Sequence, residues 1–157
     1  MSSIKSVLFV CTGNSCRSIM AEGLLKKYLK DIGKSGVEVH SAGIRALDGL
    51  SPTRETIEVM KDQGIDVSGY RSKNLSDEMI ENADLILTME DIHKNDVIDR
   101  MPEAVVKTHL LKEFGKADID VHPEGFDIPD PIGRPVKDYK SSVNMIKKEI
   151  ERIARLL

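Results

Sequence analysis

The stretch Val10-Cys11-Thr12-Gly13-Asn14-Ser15-Cys16-Arg17-Ser18 constrains this chain more than any other. An apolar run, Val7-Leu8-Phe9-Val10, leads in, and a helical apolar pattern starting near Ile19 leads out. It reads as a tight loop between a buried strand and a helix N-terminus. Such a junction gathers backbone N–H groups and the positive end of a helix dipole, so it holds anions. Cys11 opens the cradle and Arg17 closes it. Converging N–H groups and a guanidinium would stabilise a thiolate there, and the thiolate is the nucleophilic form. The planar fork of Arg17 suits two equatorial oxygens of a phosphoryl group. Gly13 permits a backbone conformation that a Cβ would hinder. Asn14 can fix the loop through its side chain, and Ser18 can donate a hydrogen bond to the sulfur. A lone cysteine after an apolar strand is most often a small buried hydrophobe. The ordered set Cys, Gly, Asn, Arg and Ser at one junction shifts the reading to chemistry. Cys16 has two readings: a reversible disulfide with Cys11 that shields the nucleophile from over-oxidation, or simple packing.

The remaining chain alternates strand and helix patterns. Strands are expected over residues 4–10, 37–41, 84–89 and 104–110. Helices are expected over residues 18–33, from Ser51-Pro52 to Gly64, over 76–82 and over 91–100. Residues 68–74 form a polar connector. The closing helix is the clearest element, since Tyr139, Val143, Ile146, Ile150, Ile153 and Leu157 share one face. Ser41-Ala42-Gly43 is a small-residue turn where another backbone can come close. The expected class is α/β: a single-domain, open, parallel four-stranded sheet with helices on both faces and a phosphate-binding loop after strand 1. In such sheets ligands sit beyond the carboxyl ends of the strands, where Cys11 to Ser18 lie.

The totals exclude other classes. A chain of 157 residues with 40% hydrophobic and 31% charged residues is an ordinary globular domain, 1–157. Its net charge of −3 gives no basic excess, so nucleic acid is not an expected partner. No apolar run is long enough to cross a bilayer, and the N-terminus does not read as a signal peptide. Two cysteines in one loop make no disulfide framework, which points to a reducing cytoplasm. No metal or cofactor is expected.

A phosphoryl-transfer nucleophile needs a partner that protonates the leaving group. The proline-rich segment 112–137 offers Asp118, Asp120, Glu124, Asp127 and Asp130. Most acids on a loop face solvent. Asp130 is the choice, since Pro131 stiffens it and Gly133 allows a tight turn, with Asp127 as runner-up.

The run Cys11-Thr12-Gly13-Asn14-Ser15-Cys16-Arg17-Ser18 closely resembles the signature of the low-molecular-weight protein tyrosine phosphatases. Ser41-Ala42-Gly43 is similar to the family's second-strand motif, residues 83–89 to its third strand, and Asp130-Pro131 to its acid loop. The resemblance implies a metal-independent phosphomonoesterase working through a phosphocysteine. Cys11, Arg17 and Asp130 would be catalytic. Thr12, Gly13, Asn14, Ser15, Cys16 and Ser18 would bind the substrate phosphoryl group of a phosphorylated protein or peptide, or a phosphate or sulfate ion.

Several positions depart from the family pattern. Ile19 replaces the usual proline, and Tyr70 stands where many relatives have a histidine that braces the loop. Ile132 follows Asp-Pro where tyrosine-directed relatives place an aromatic ring. Ser15 replaces Ile or Leu and resembles the threonine of the protein arginine phosphatases. Phosphotyrosine is the first expectation and phosphoarginine the second. Arsenate reduction on the same scaffold ranks lower, because no cysteine follows Cys16 to pass a disulfide outward. A non-hydrolysing binding module ranks lower too, since binding needs neither nucleophile nor acid. His40, His93, His109 and His122 have no evident catalytic spacing and read as surface or packing residues.

Overall fold

Side chains on the first strand point alternately to two different cores, which is what a parallel strand covered on both faces requires. The protein is described here by a computed structural model covering residues 4–116 and 125–157. Strand β1 (Ser6–Cys11) sends Val7, Phe9 and Cys11 into one core and Leu8 and Val10 into the other. The first core is completed by α1 (Arg17–Asp31), α2 (Arg54–Asp62) and α5 (Val136–Ala154). The second is completed by α3 (Asp77–Asn82), α4 (Asp91–Arg100) and a 3-10 turn, Pro102–Lys107. Strand β3 (Leu85–Thr88) divides in the same way, with Leu85 and Leu87 opposite Ile86.

With β2 (Glu38–Gly43) and β4 (Thr108–Leu110), the four strands run parallel in the order β2-β1-β3-β4. Chain progression reverses direction at β1, and such a switch point leaves a crevice beyond the strand ends. The expected α/β sheet with helices on both faces is therefore observed, and the phosphate-loop candidate opens into that crevice. Among the described residues no helix is long and apolar enough to cross a membrane.

Two local expectations need correction. The fourth strand was expected over 104–110 but is only three residues long. Pro102 instead starts a 3-10 turn, which leaves Val105 50% and Val106 81% exposed. An apolar pair in sequence thus faces solvent rather than a second core. The second helix is capped by Thr53, not Ser51: Thr53 Oγ1 accepts from the Thr56 N–H at 3.2 Å. Its own N–H donates to Ser15 C=O at 3.2 Å. That long-range bond fixes where the chain enters α2 and carries Pro52 to a buried position before the helix. The closing helix keeps its expected face buried, ending at Ala154 with Leu157 buried just beyond it.

Candidate active site

Strand β1 ends at Cys11 and α1 begins at Arg17, so both groups are delivered by rigid elements. Cys16 occupies the N-cap without a side-chain cap bond, and the first α1 turn leaves its N–H groups for an incoming anion. Asn14 takes the left-handed φ of 51° needed to fold the loop back. It is 1% exposed and anchored on three sides. Its Nδ2 donates to Ser18 Oγ at 2.8 Å and Ser41 Oγ at 2.9 Å, and its Oδ1 accepts from the Lys73 N–H at 2.9 Å. Ser41 Oγ donates in turn to Glu22 Oε1 at 2.6 Å, and Glu22 pairs with Lys26. Lys26 in turn lies over the Tyr70 ring at 5.1 Å. Tyr70 therefore stands at the outer end of this brace, where burial raises its phenol pKa; Ser41 and Glu22 make the inner contacts.

Strand β2 supports the loop from one side. Ile44 and Arg45 donate N–H bonds to the carbonyls of Cys11 and Thr12, each at 2.9 Å. A Cβ on Gly43 would lie 2.6 Å from Thr12 O and 2.8 Å from Asn14 N. Both are backbone atoms and cannot swing aside, so the small-residue turn expected from sequence admits the loop of residues 11–18 itself. Gly43→Ala is expected to cost about 1–3 kcal/mol of stability by overpacking. By displacing the loop it should also lower kcat about 10²-fold. Thermal unfolding and turnover on one aryl phosphate check both halves.

The cavity beside Cys11 measures about 140 Å³ and is lined by Cys11, Thr12, Gly13, Ser15, Cys16, Arg17, Asp130 and Ile132. Asn14 and Ser18 stand behind this lining as supports. Ser18 Oγ lies 2.9 Å from Cys11 Sγ, so the expected serine–sulfur contact is present. Cys16 Sγ contacts hydroxyls of Ser15 and Thr53 at 3.6 Å and donates to Tyr139 at 4.0 Å; both thiols are free.

Arg17 is 1% exposed. Its Nη1 donates to Glu90 Oε2 at 2.5 Å and to Ile128 C=O at 2.7 Å, while Nη2 lies 3.5 Å from Asp130 Oδ2. One guanidinium thus ties the loop to α4 and to the acid segment. Asp130 Oδ1 accepts from the Ile132 N–H at 3.1 Å, the turn that Pro131 and Gly133 suggested. Asp127, the alternative acid, instead accepts the Asp91 N–H at 2.9 Å near the start of α4. Asp118, Asp120 and Glu124 lie outside the described residues.

Sequence reasoning missed two contributors. Glu90 follows β3 at the same carboxyl edge as Cys11, but nothing local marks it as the partner of Arg17. His93 was read as a surface or packing residue. It is buried, with Nε2 2.9 Å from Thr12 Oγ1 and Nδ1 accepting from the Glu90 N–H at 3.1 Å. Burial, then the positive charge of Arg17, hold its pKa down at about 4 against the opposing pull of Asp130.

Residues 6–157 match the model of the family described as low molecular weight phosphotyrosine protein phosphatase. The chain is 39% identical over 151 residues to a protein-arginine-phosphatase of Geobacillus stearothermophilus, covering 96% of this chain and 95% of that one. It is 38% identical to an arsenate reductase of Staphylococcus epidermidis, covering 94% of each. The crystal structure of a low molecular weight protein tyrosine phosphatase from T. tengcongensis superposes with a TM-score of 0.87 at 38% identity. That superposition covers 97% of this chain and 99% of the other.

Proposed function

We propose that this chain, which belongs to the low molecular weight phosphotyrosine protein phosphatase family, hydrolyses phosphotyrosine in proteins through a phosphocysteine. The observation that carries the reading is that one small cavity is lined by Cys11, Arg17 and Asp130, three groups brought from two distant parts of the chain. Phosphoryl transfer needs positioning and charge stabilisation more than covalent machinery. Cys11 Sγ attacks phosphorus from the floor of the loop. Loop N–H groups and Arg17 bind the equatorial oxygens. Asp130 protonates the departing ester oxygen, so the P–O bond breaks to give the tyrosine phenol and phosphocysteine. Ser18, in contact with Cys11 Sγ, stabilises the sulfur when water, deprotonated by Asp130, releases inorganic phosphate. Asp130→Ala is expected to lower kcat about 10²- to 10⁴-fold with aryl phosphates. Rapid-quench measurement should then trap phosphocysteine in that variant; failure to trap it, together with full turnover by Cys11→Ser, would defeat the scheme.

A second reading, phosphoarginine, is favoured by the cavity lining. Ser15 places a hydroxyl there and Ile132 stands where an aromatic ring would stack on phenol. A hydroxyl can hydrogen-bond a guanidinium; an aliphatic group cannot. Comparing wild-type turnover of phosphotyrosine and phosphoarginine peptides decides between the substrates. If Ser15 sets the choice, Ser15→Ile should move the kcat/KM ratio about tenfold toward phosphotyrosine, the scale of one hydrogen bond. Arsenate reduction, the activity for which the Staphylococcus epidermidis relative is named, fits less well because Cys11 and Cys16 are the only cysteines of the chain.

A further inference from the structure

The hydrogen bonds of His93 fix where its proton sits. The backbone N–H of Glu90 can only donate, so Nδ1, 3.1 Å away, must present a lone pair. The ring is 0% exposed, and its lowered pKa keeps it neutral near pH 7. Its one proton is then on Nε2. That nitrogen is 2.9 Å from Thr12 Oγ1 but 3.9 Å from Glu90 Oε2, so the proton is donated to Thr12. Oγ1 accepts, and the hydroxyl hydrogen of Thr12 turns away from the ring. Among the described residues the Thr12 side chain makes no other hydrogen bond, and Thr12 lines the cavity beside Cys11 and Arg17.

We propose that His93 is a positioning residue that fixes the Thr12 hydroxyl as a hydrogen-bond donor to the phosphoryl group held in the loop. The inference rests on reading the site as a phosphoryl site and adds a donor to it. A hydroxyl can ordinarily rotate between partners; here the imidazole takes one lone pair and turns the hydrogen away from the ring, so the donor needs little reorganisation when charge arrives. The same ring holds the backbone of Glu90, whose carboxylate anchors Arg17 Nη1. One side chain thus aligns a neutral donor and the charged fork on a single anion.

The test uses Thr12→Val, Thr12→Ser, His93→Asn and His93→Gln. Binding of inorganic phosphate is measured by titration calorimetry, with kcat/KM for p-nitrophenyl phosphate alongside. Thr12→Val should weaken phosphate binding about tenfold, as loss of a hydrogen bond to a charged group does, and Thr12→Ser should restore it. His93→Asn keeps an acceptor for the Glu90 N–H but cannot reach Thr12, so it should behave like Thr12→Val. His93→Gln can still donate to Thr12 but no longer holds the Glu90 N–H, so in its background Thr12→Val should still weaken phosphate binding about tenfold. In combination with Thr12→Val, His93→Asn should add less than about twofold, since its target is gone. Unchanged phosphate affinity in Thr12→Val, or an equal His93→Asn effect with and without the Thr12 hydroxyl, overturns the proposal. Should the His93 variants fail to fold, unchanged phosphate affinity in Thr12→Val still overturns the proposal. Failure of the functional reading looks different: wild-type protein would then neither bind phosphate nor turn over.

Discussion

Cys11→Ser is expected to lower kcat by about 10⁴-fold or more, the scale seen when a covalent nucleophile is removed. The change is nearly isosteric, and Cys11 sits at the end of a paired strand, held by the Ile44 N–H on its carbonyl. The loop should therefore keep its shape. Ser18 Oγ, 2.9 Å from the sulfur, can stabilise an anion that already exists, but it cannot create an alkoxide at neutral pH. Phosphate affinity should stay within a few-fold of wild type while turnover disappears, so the loss falls on kcat and not on binding. Calorimetry with inorganic phosphate and steady-state kinetics on one substrate separate the two. Turnover within about tenfold of wild type would remove Cys11 from the reaction.

Arg17→Lys should cost about 10³-fold in kcat/KM even though charge is retained, the lower end of the range for an arginine acting on a transferring phosphoryl group. Arg17 spans Glu90, the Ile128 carbonyl and Asp130 with one rigid fork. A lysine ammonium is a single point and cannot hold Glu90 and Ile128 while presenting a second N–H to an anion. Either anchor or substrate must be given up. The variant should also fall in thermal stability, because Ile128 C=O, in a fully buried residue, loses a donor. The two effects are separated by saturating phosphate: binding should raise the thermal stability of wild type and raise that of the variant much less. A kcat/KM within tenfold of wild type would show that the guanidinium plane is not what the site uses.

The supporting layer of the site was legible only in part. Asn14 could be assigned to loop support, and Ser18 to the Cys11 sulfur, because both are local to the loop. Ser41 was noted as part of a motif, without its bond to Asn14. Glu90 and His93 were out of reach because each acts on the loop through bonds spanning more than seventy positions of chain. Their own neighbourhood reads as an ordinary helix start, and the Glu90–His93 pair does cap α4. Turn chemistry and the family resemblance both favour Asp130 over Asp127; the structure sets Asp130 on the cavity lining and gives Asp127 a cap-like bond from the Asp91 N–H. Residues 104–107 misled for a related reason. Their composition suits a strand, but pairing depends on what the neighbouring chain offers, and Pro102 had already set a tighter turn.

By itself the sequence determined the alternation of strands and helices, the parallel sheet and the nucleophile loop at its carboxyl edge. Those follow from local periodicity and from residue types whose chemistry is carried within a few positions. Tertiary structure alone decided which carboxylate holds Arg17, which backbone Gly43 must admit, and which histidine meets the Thr12 hydroxyl. Each of these depends on distances between segments far apart in the chain, and a hydrogen bond is decided by a few tenths of an ångström that no pattern along the chain encodes.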